Sequence, residues 1–236
     1  PEKTEPTKTD AATMPVAVSE SLTGPIAQAF AREREVHVKV LVDPALLVVH
    51  EDWLGYVQRL FSAANSSFQH LFGISLRLHG VILWEQAAAN TGGLLLDLAG
   101  HDREGADVVI GLVARPRPFD FDSPSWGAGE NGGYALVFAD LDLEERYYRG
   151  LLRAVAGLFG ADPVRDQNSA AYLRGSFMST APVANESQPP WIDAENRDAV
   201  IANKQRPFAG PGVPTPEEPE DADDDLDAEP PAEETQ

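Results

Sequence analysis

The chain has 236 residues, 43% of them hydrophobic, enough for one domain with tails and a buried core. It has no cysteine, which excludes disulfides, thiolate metal sites and cysteine nucleophiles. Its formal net charge of −20 repels phosphate backbones and anionic membranes, and no apolar run reaches the ~18 residues that span a bilayer. Nucleic acid and membrane spans are therefore not expected.

Residues 1–32 are rich in Pro, Thr, Ala and Glu and are expected to form a flexible N-terminal segment, with at most a helical turn over Ile26–Phe30. The opening Pro1-Glu2-Lys3-Thr4 lacks an initiator Met. It is expected of a mature protein after leader removal, which favours a secreted or periplasmic location. Glu35–Val42 alternates polar and apolar residues and predicts a strand with Val36, Val38 and Val40 on one face; Asp43-Pro44 closes it. Glu51–Leu71 has helical spacing from Trp53 to Leu71, with Asp52 or Glu51 at its start and Gly73 at its cap. Ile74–Trp84 predicts a second strand with a bulge at Gly80.

Leu94–Ala99 reads as a short helix, and Ala106–Val113 as a buried central strand. Arg115–Gly133 is a Pro-, Gly- and Asp-rich loop. Its Phe119, Phe121 and Trp126 are candidates for a partner-binding surface, or for side chains folded back over the sheet. Tyr134–Phe138 is another strand. Leu143–Phe159 predicts a helix with an apolar stripe of Leu143, Tyr147, Leu151, Val155 and Phe159, stopped by Gly160. Asp193–Lys204 is the last helix. From residue 209 onward the chain reads as a disordered acidic tail, with 11 acids and no base over residues 217–234.

Residues 153–163 read Arg-Ala-Val-Ala-Gly-Leu-Phe-Gly-Ala-Asp-Pro and are followed by Ser176-Phe177-Met178-Ser179. This framework resembles the zinc helix and Met-turn of the metzincin metalloproteases, whose pattern is H-E-x-x-H-x-x-G-x-x-H. The order of elements over residues 35–208 is similar too, as are the phrases VHVKVLVD, AANSSFQHLFGI, ADVVIGL and GSFMS, which look like bacterial members. The resemblance implies an α/β (α+β) domain over residues 33–208. Its sheet would have five strands in mixed orientation, with a long helix, a degenerate active-site helix and a C-terminal helix. It also implies a cleft beneath one edge strand, with Met178 as the floor of the former site.

Only Gly160 of the pattern is in place. The ligand positions hold Arg153, Gly157 and Pro163, and the general-base position holds Ala154. Glycine and proline have no donor side chain, a guanidinium repels a cation, and alanine takes no proton. Asp162 alone does not make a site. No zinc and no other cofactor is therefore expected. None of His37, His50, His70, His79 and His101 is paired at the i,i+4 spacing that places two imidazoles on one helical face. Arg153 is expected to face the cleft with no metal to hold, so that its loss costs ~1 kcal/mol or less.

Other motifs are weaker. Arg146, Arg149 and Arg153 share a helical face that reads as solvated or salt-bridged. Asp221–Asp227 lacks the glycine and glutamate of a calcium loop, and Gly127–Gly133 precedes a strand, so no helix start is available to a phosphate. The functional expectation is an inactive pseudoprotease: a non-catalytic binding or structural protein, with a polypeptide partner or a subunit role in an assembly. The alternatives are a hydrolase built on Ser176, Ser179, His70 or His101, for which no nucleophile elbow is present, and an unrelated α/β domain.

Overall fold

A computed structural model of the chain describes residues 16–17, 20–85, 90–114, 132–138, 144–179 and 189–208. The elements are α1 (Gly24–Phe30), β1 (Arg34–Val42), α2 (Ala45–Val49), α3 (Trp53–Phe72), β2 (Ile74–Leu83), α4 (Thr91–Ala99), β3 (Val108–Val113), β4 (Tyr134–Phe138), α5 (Glu144–Leu158), α6 (Ala170–Leu173) and α7 (Ala194–Asn203).

The strands form one four-stranded sheet in the order β2-β1-β3-β4, and every pair is parallel. This corrects the expected five-stranded mixed sheet. Antiparallel neighbours arise from short hairpins, whereas parallel neighbours need long crossovers. Here α2 and α3 separate β1 from β2, and α4 separates β2 from β3. The alternating and apolar runs of the sequence themselves number four; the fifth strand came from the family resemblance alone.

The chain steps from β1 outward to β2, then back across β1 to β3. Right-handed crossovers in opposite directions place their helices on opposite faces of the sheet. On one face Val36, Val38, Val40 and Val42 pack in the main core with residues of α3 and α5, including Tyr56, Leu60, Phe68, Tyr148 and Leu152. On the other, Leu41, Val109, Val113 and Leu136 pack with Trp84 and with Leu94 and Leu98 of α4. The remainder of β1 on that second face is polar. Arg77 pairs with Glu35 at 3.0 Å and Lys39 with Glu104 at 3.1 Å.

The local signals act as the residues dictate. The Asp52 carboxylate accepts from the Gly55 amide at the start of α3, and Gly73 ends that helix at φ +64°. In β2 the register shifts so that Leu78 faces Val38 but Gly80 faces Lys39. His79 is therefore the extra residue of a bulge at the place the sequence marked.

Residues 16–17 and 20–32 of the expected N-terminal segment are seated on the domain. Ala17 is fully buried, α1 packs on α7, and the Lys204 ammonium donates to the Phe30 carbonyl at 2.8 Å.

Candidate functional site

The segment that resembles the zinc helix, residues 153–163, begins on α5, whose apolar stripe fixes its orientation. Tyr147, Leu151 and Val155, followed by Phe159, are all buried in the main core. Burying each gives roughly 1.5–3 kcal/mol, so the helix needs no metal to stay in place. Ala154, which the resemblance sets at the base position, is wholly buried in that core. Gly157, which the resemblance sets at the second ligand position, is half-buried, and a Cβ placed there would have no atom within 4 Å.

Gly160 stops the helix for a definite reason. At φ +90° its amide donates to the Gly157 carbonyl at 2.9 Å, and the Ala161 amide donates back to Ala156 at 3.1 Å. That pair of bonds is a Schellman cap, which needs a left-handed residue. Pro163 follows at partial burial, and the next residue, Val164, donates its amide to the Met178 carbonyl at 3.0 Å.

Ser176–Ser179 is a tight turn closed by the Ser179 amide on the Ser176 carbonyl at 2.8 Å. Met178 is buried in the same core cluster as Val155 and Phe159. Arg153 binds this turn from α5. Its Nε donates to the Phe177 carbonyl at 2.7 Å, and its Nη2 donates to the Ser179 carbonyl. Arg153 is not the unengaged cleft residue expected from the sequence: its guanidinium bridges the two carbonyls on either side of Met178. Arg153, Val164 and the Met178 turn are thus joined by hydrogen bonds. For Gly157 no such link is present among the described residues.

The turn is also tied to α7. Ser176 Oγ donates to Asp193 Oδ2 at 2.7 Å, while Asp193 Oδ1 caps α7 by accepting from the Asn196 amide at 3.0 Å. Ser179 Oγ donates to the Ser176 carbonyl at 2.7 Å. Both serine hydroxyls therefore donate to a carboxylate or a carbonyl, not to an imidazole. His70 is exposed on α3, and His101 packs edge-on to Trp84. His37 and His79 meet edge-on, 6.2 Å apart, on the polar part of the sheet, and His50 stacks on Tyr56 at 4.1 Å. Among the described residues no group of three His, Asp or Glu is placed to hold a metal ion, and no helix is long and apolar enough to cross a membrane. Phe119, Phe121 and Trp126 lie outside the described residues, as do the side chain of Arg146 and the acidic tail.

The hydrogen bonds from Arg59 and the Gly55 amide hold the Asp52 carboxyl below its ordinary value, whereas burial governs the other perturbed groups. It pushes the Tyr147 and Tyr148 hydroxyls up, the latter against a 2.5 Å hydrogen bond with Ser67 that favours ionisation. It pushes the Lys204 ammonium down.

Strand addition to an exposed sheet edge is an expectation of the sequence, but which strand forms that edge is not legible there; the structure makes it β2. Its start is covered, because the Leu76 amide donates to Asn65 Oδ1 of α3 at 2.8 Å. Past the His79 bulge no described strand pairs with it, and Ile82 and Leu83 are 40% and 48% exposed. The four successive apolar residues Val81-Ile82-Leu83-Trp84 were the available signal, since a half-covered edge strand should alternate.

No family model matches the chain, and no curated protein does. A solved chain described as "Structure of a chaperone-substrate complex" is similar, with a TM-score of 0.52 and 11% identity over 73% of this chain and 34% of that one. The likeness is one of fold, and this chain spans about a third of the length of that solved chain.

Proposed function

We propose that the chain is a non-catalytic polypeptide-binding protein that holds an extended segment along the open edge of β2. The observation carrying this reading is the stretch past the bulge, which has no strand partner on its outer side among the described residues and carries exposed Ile82 and Leu83. Such an edge recruits a strand through its backbone and selects it through neighbouring side chains. The metzincin resemblance supports the absence of chemistry. The zinc and base positions are Arg153, Gly157, Pro163 and Ala154, and Arg153 is engaged with the Met178 turn. The similar solved chain is described as part of a chaperone–substrate complex, which agrees with a polypeptide partner. A net charge of −20 favours encounter with neutral or basic segments.

Fluorescence anisotropy with a labelled, β-prone basic peptide of about ten residues tests the proposal. We expect saturable binding, lost on N-methylation of alternate peptide amides and weakened about tenfold or more by Ile82→Lys with Leu83→Lys. Absence of binding, or binding indifferent to both changes, overturns it. Time-dependent cleavage of the peptide would favour the hydrolase alternative.

A further inference from the structure

We propose that two copies of the chain pair through their β2 edges, antiparallel about a twofold axis at Ile82, so that two four-stranded sheets join edge to edge. Self-pairing rests on the reading that this edge accepts a strand, and it makes a second copy the occupant when no other partner is bound.

The backbone supplies the register. In a strand the amide and carbonyl of each residue point to one side, and successive residues alternate. The Trp84 amide turns inward and donates to the Val42 carbonyl at 2.8 Å, so the main-chain groups of Val81 and Leu83 turn outward. A twofold axis at Ile82 sets Val81 of each copy against Leu83 of the other, and each such couple exchanges both of its hydrogen bonds. Ile82 meets its own copy as the non-hydrogen-bonded pair, in which side chains approach closest. One step further out, Gly80, with open space around it, lies against Trp84. Beyond that, His79 lies against Glu85. The register thus sets apolar residues against apolar ones and an imidazole against a carboxylate, and it opposes no like charges.

The surroundings suit the same occupant. Leu83 pairs with Val42 at the end of β1, and α2 follows from that end. Val48 of α2 and Leu54 at the start of α3 are exposed, and with Ile82 and Leu83 they are four of the seven exposed large hydrophobic side chains among the described residues. The uncovered apolar side chains therefore gather at this end of the sheet instead of scattering. From His79 to Trp84 there is no proline and no lysine, the residues that commonly keep an edge strand from pairing. The start of β2, where Asn65 accepts from the Leu76 amide, lies outside the paired stretch. Charge opposes the union: at −20 per chain two copies repel, so association strengthens as salt screens the field.

Sedimentation velocity of the full chain over about a hundredfold range of concentration should show a monomer–dimer equilibrium that moves toward dimer with added salt. Ile82→Lys sets two ammonium groups against each other on the axis and should weaken the dimer about tenfold or more. The chain has no cysteine, so Ile82→Cys reports the register alone. With oxidised glutathione it should form a disulfide-linked dimer, because the residues of such a pair lie within disulfide reach. Leu173→Cys, exposed on α6, is the control and should link far more slowly. A monomer at every concentration overturns the proposal. So does a dimer indifferent to Ile82→Lys in which Ile82→Cys links no faster than Leu173→Cys. Should Ile82→Lys not fold, the two cysteine variants decide. Saturating β-prone basic peptide separates this inference from the reading it rests on. If both hold, the peptide dissociates the dimer. Peptide bound by a chain that is always monomeric removes self-pairing alone, and a dimer that the peptide neither binds nor dissociates removes the peptide reading alone.

Discussion

Arg153 donates from Nε to the carbonyl oxygen of Phe177 at 2.7 Å, across 24 residues of chain. With its second bond to Ser179, one guanidinium fixes the turn that carries Met178 beneath α5. A planar fork suits two carbonyls in a way a point charge does not.

Arg153→Ala should therefore cost about 2–3 kcal/mol, because hydrogen bonds from a charged donor are among the stronger ones. Arg153→Lys should restore only part of it. Urea unfolding of the two variants decides; a loss near zero for Arg153→Ala would mean that the turn holds itself.

Val155→Asp should unfold the domain or cost more than ~4 kcal/mol, since it places an unpaired charge in a fully buried position. Circular dichroism and the same unfolding curves check this.

Two glycines of the motif should respond in opposite directions. Gly160→Ala should destabilise by ~1 kcal/mol or more, since φ is +90° and the new Cβ would meet Asn203 Nδ2 at 2.8 Å. Gly157→Ala has open space around it and should gain up to about 1 kcal/mol from helix propensity. Their melting midpoints should move to opposite sides of the unaltered protein.

Lys204→Met should cost about 1–3 kcal/mol at neutral pH, because it leaves the carbonyls of Phe30 and Phe72 without their donor. Burial lowers the Lys204 pKa below its ordinary 10.5. The unfolded chain thus holds the proton more firmly than the folded one between the two values. Stability from this group rises with pH across that window, is complete above the unfolded value, and falls away as pH drops through the folded value. Unfolding free energies measured toward pH ~10.5 should show an alkaline rise in the unaltered chain relative to Lys204→Met.

Periodicity made much of the fold legible. Alternation in Glu35–Val42 and the spacing from Trp53 to Leu71 mark β1 and α3 within two residues; Gly80 marks the place of the bulge, and Gly160 a cap that needs its left-handed backbone. The seat of Ala17 was not legible, because it depends on Ser67, 50 residues away, and a lone alanine in a Pro- and Glu-rich stretch carries no pattern. The partners of Arg153 are main-chain carbonyls, which leave no trace in residue identity. The expected mixed sheet shows the opposite failure: a strand was added from the family likeness where the residues supplied no periodicity for it.

The β2 edge is tested most directly by hydrogen–deuterium exchange mass spectrometry of the full chain with and without the β-prone basic peptide. The account predicts added protection confined to the segment from Leu78 to Leu83, with the peptide recovered at its original mass. Unchanged exchange over that segment, or recovery of peptide fragments, would contradict it.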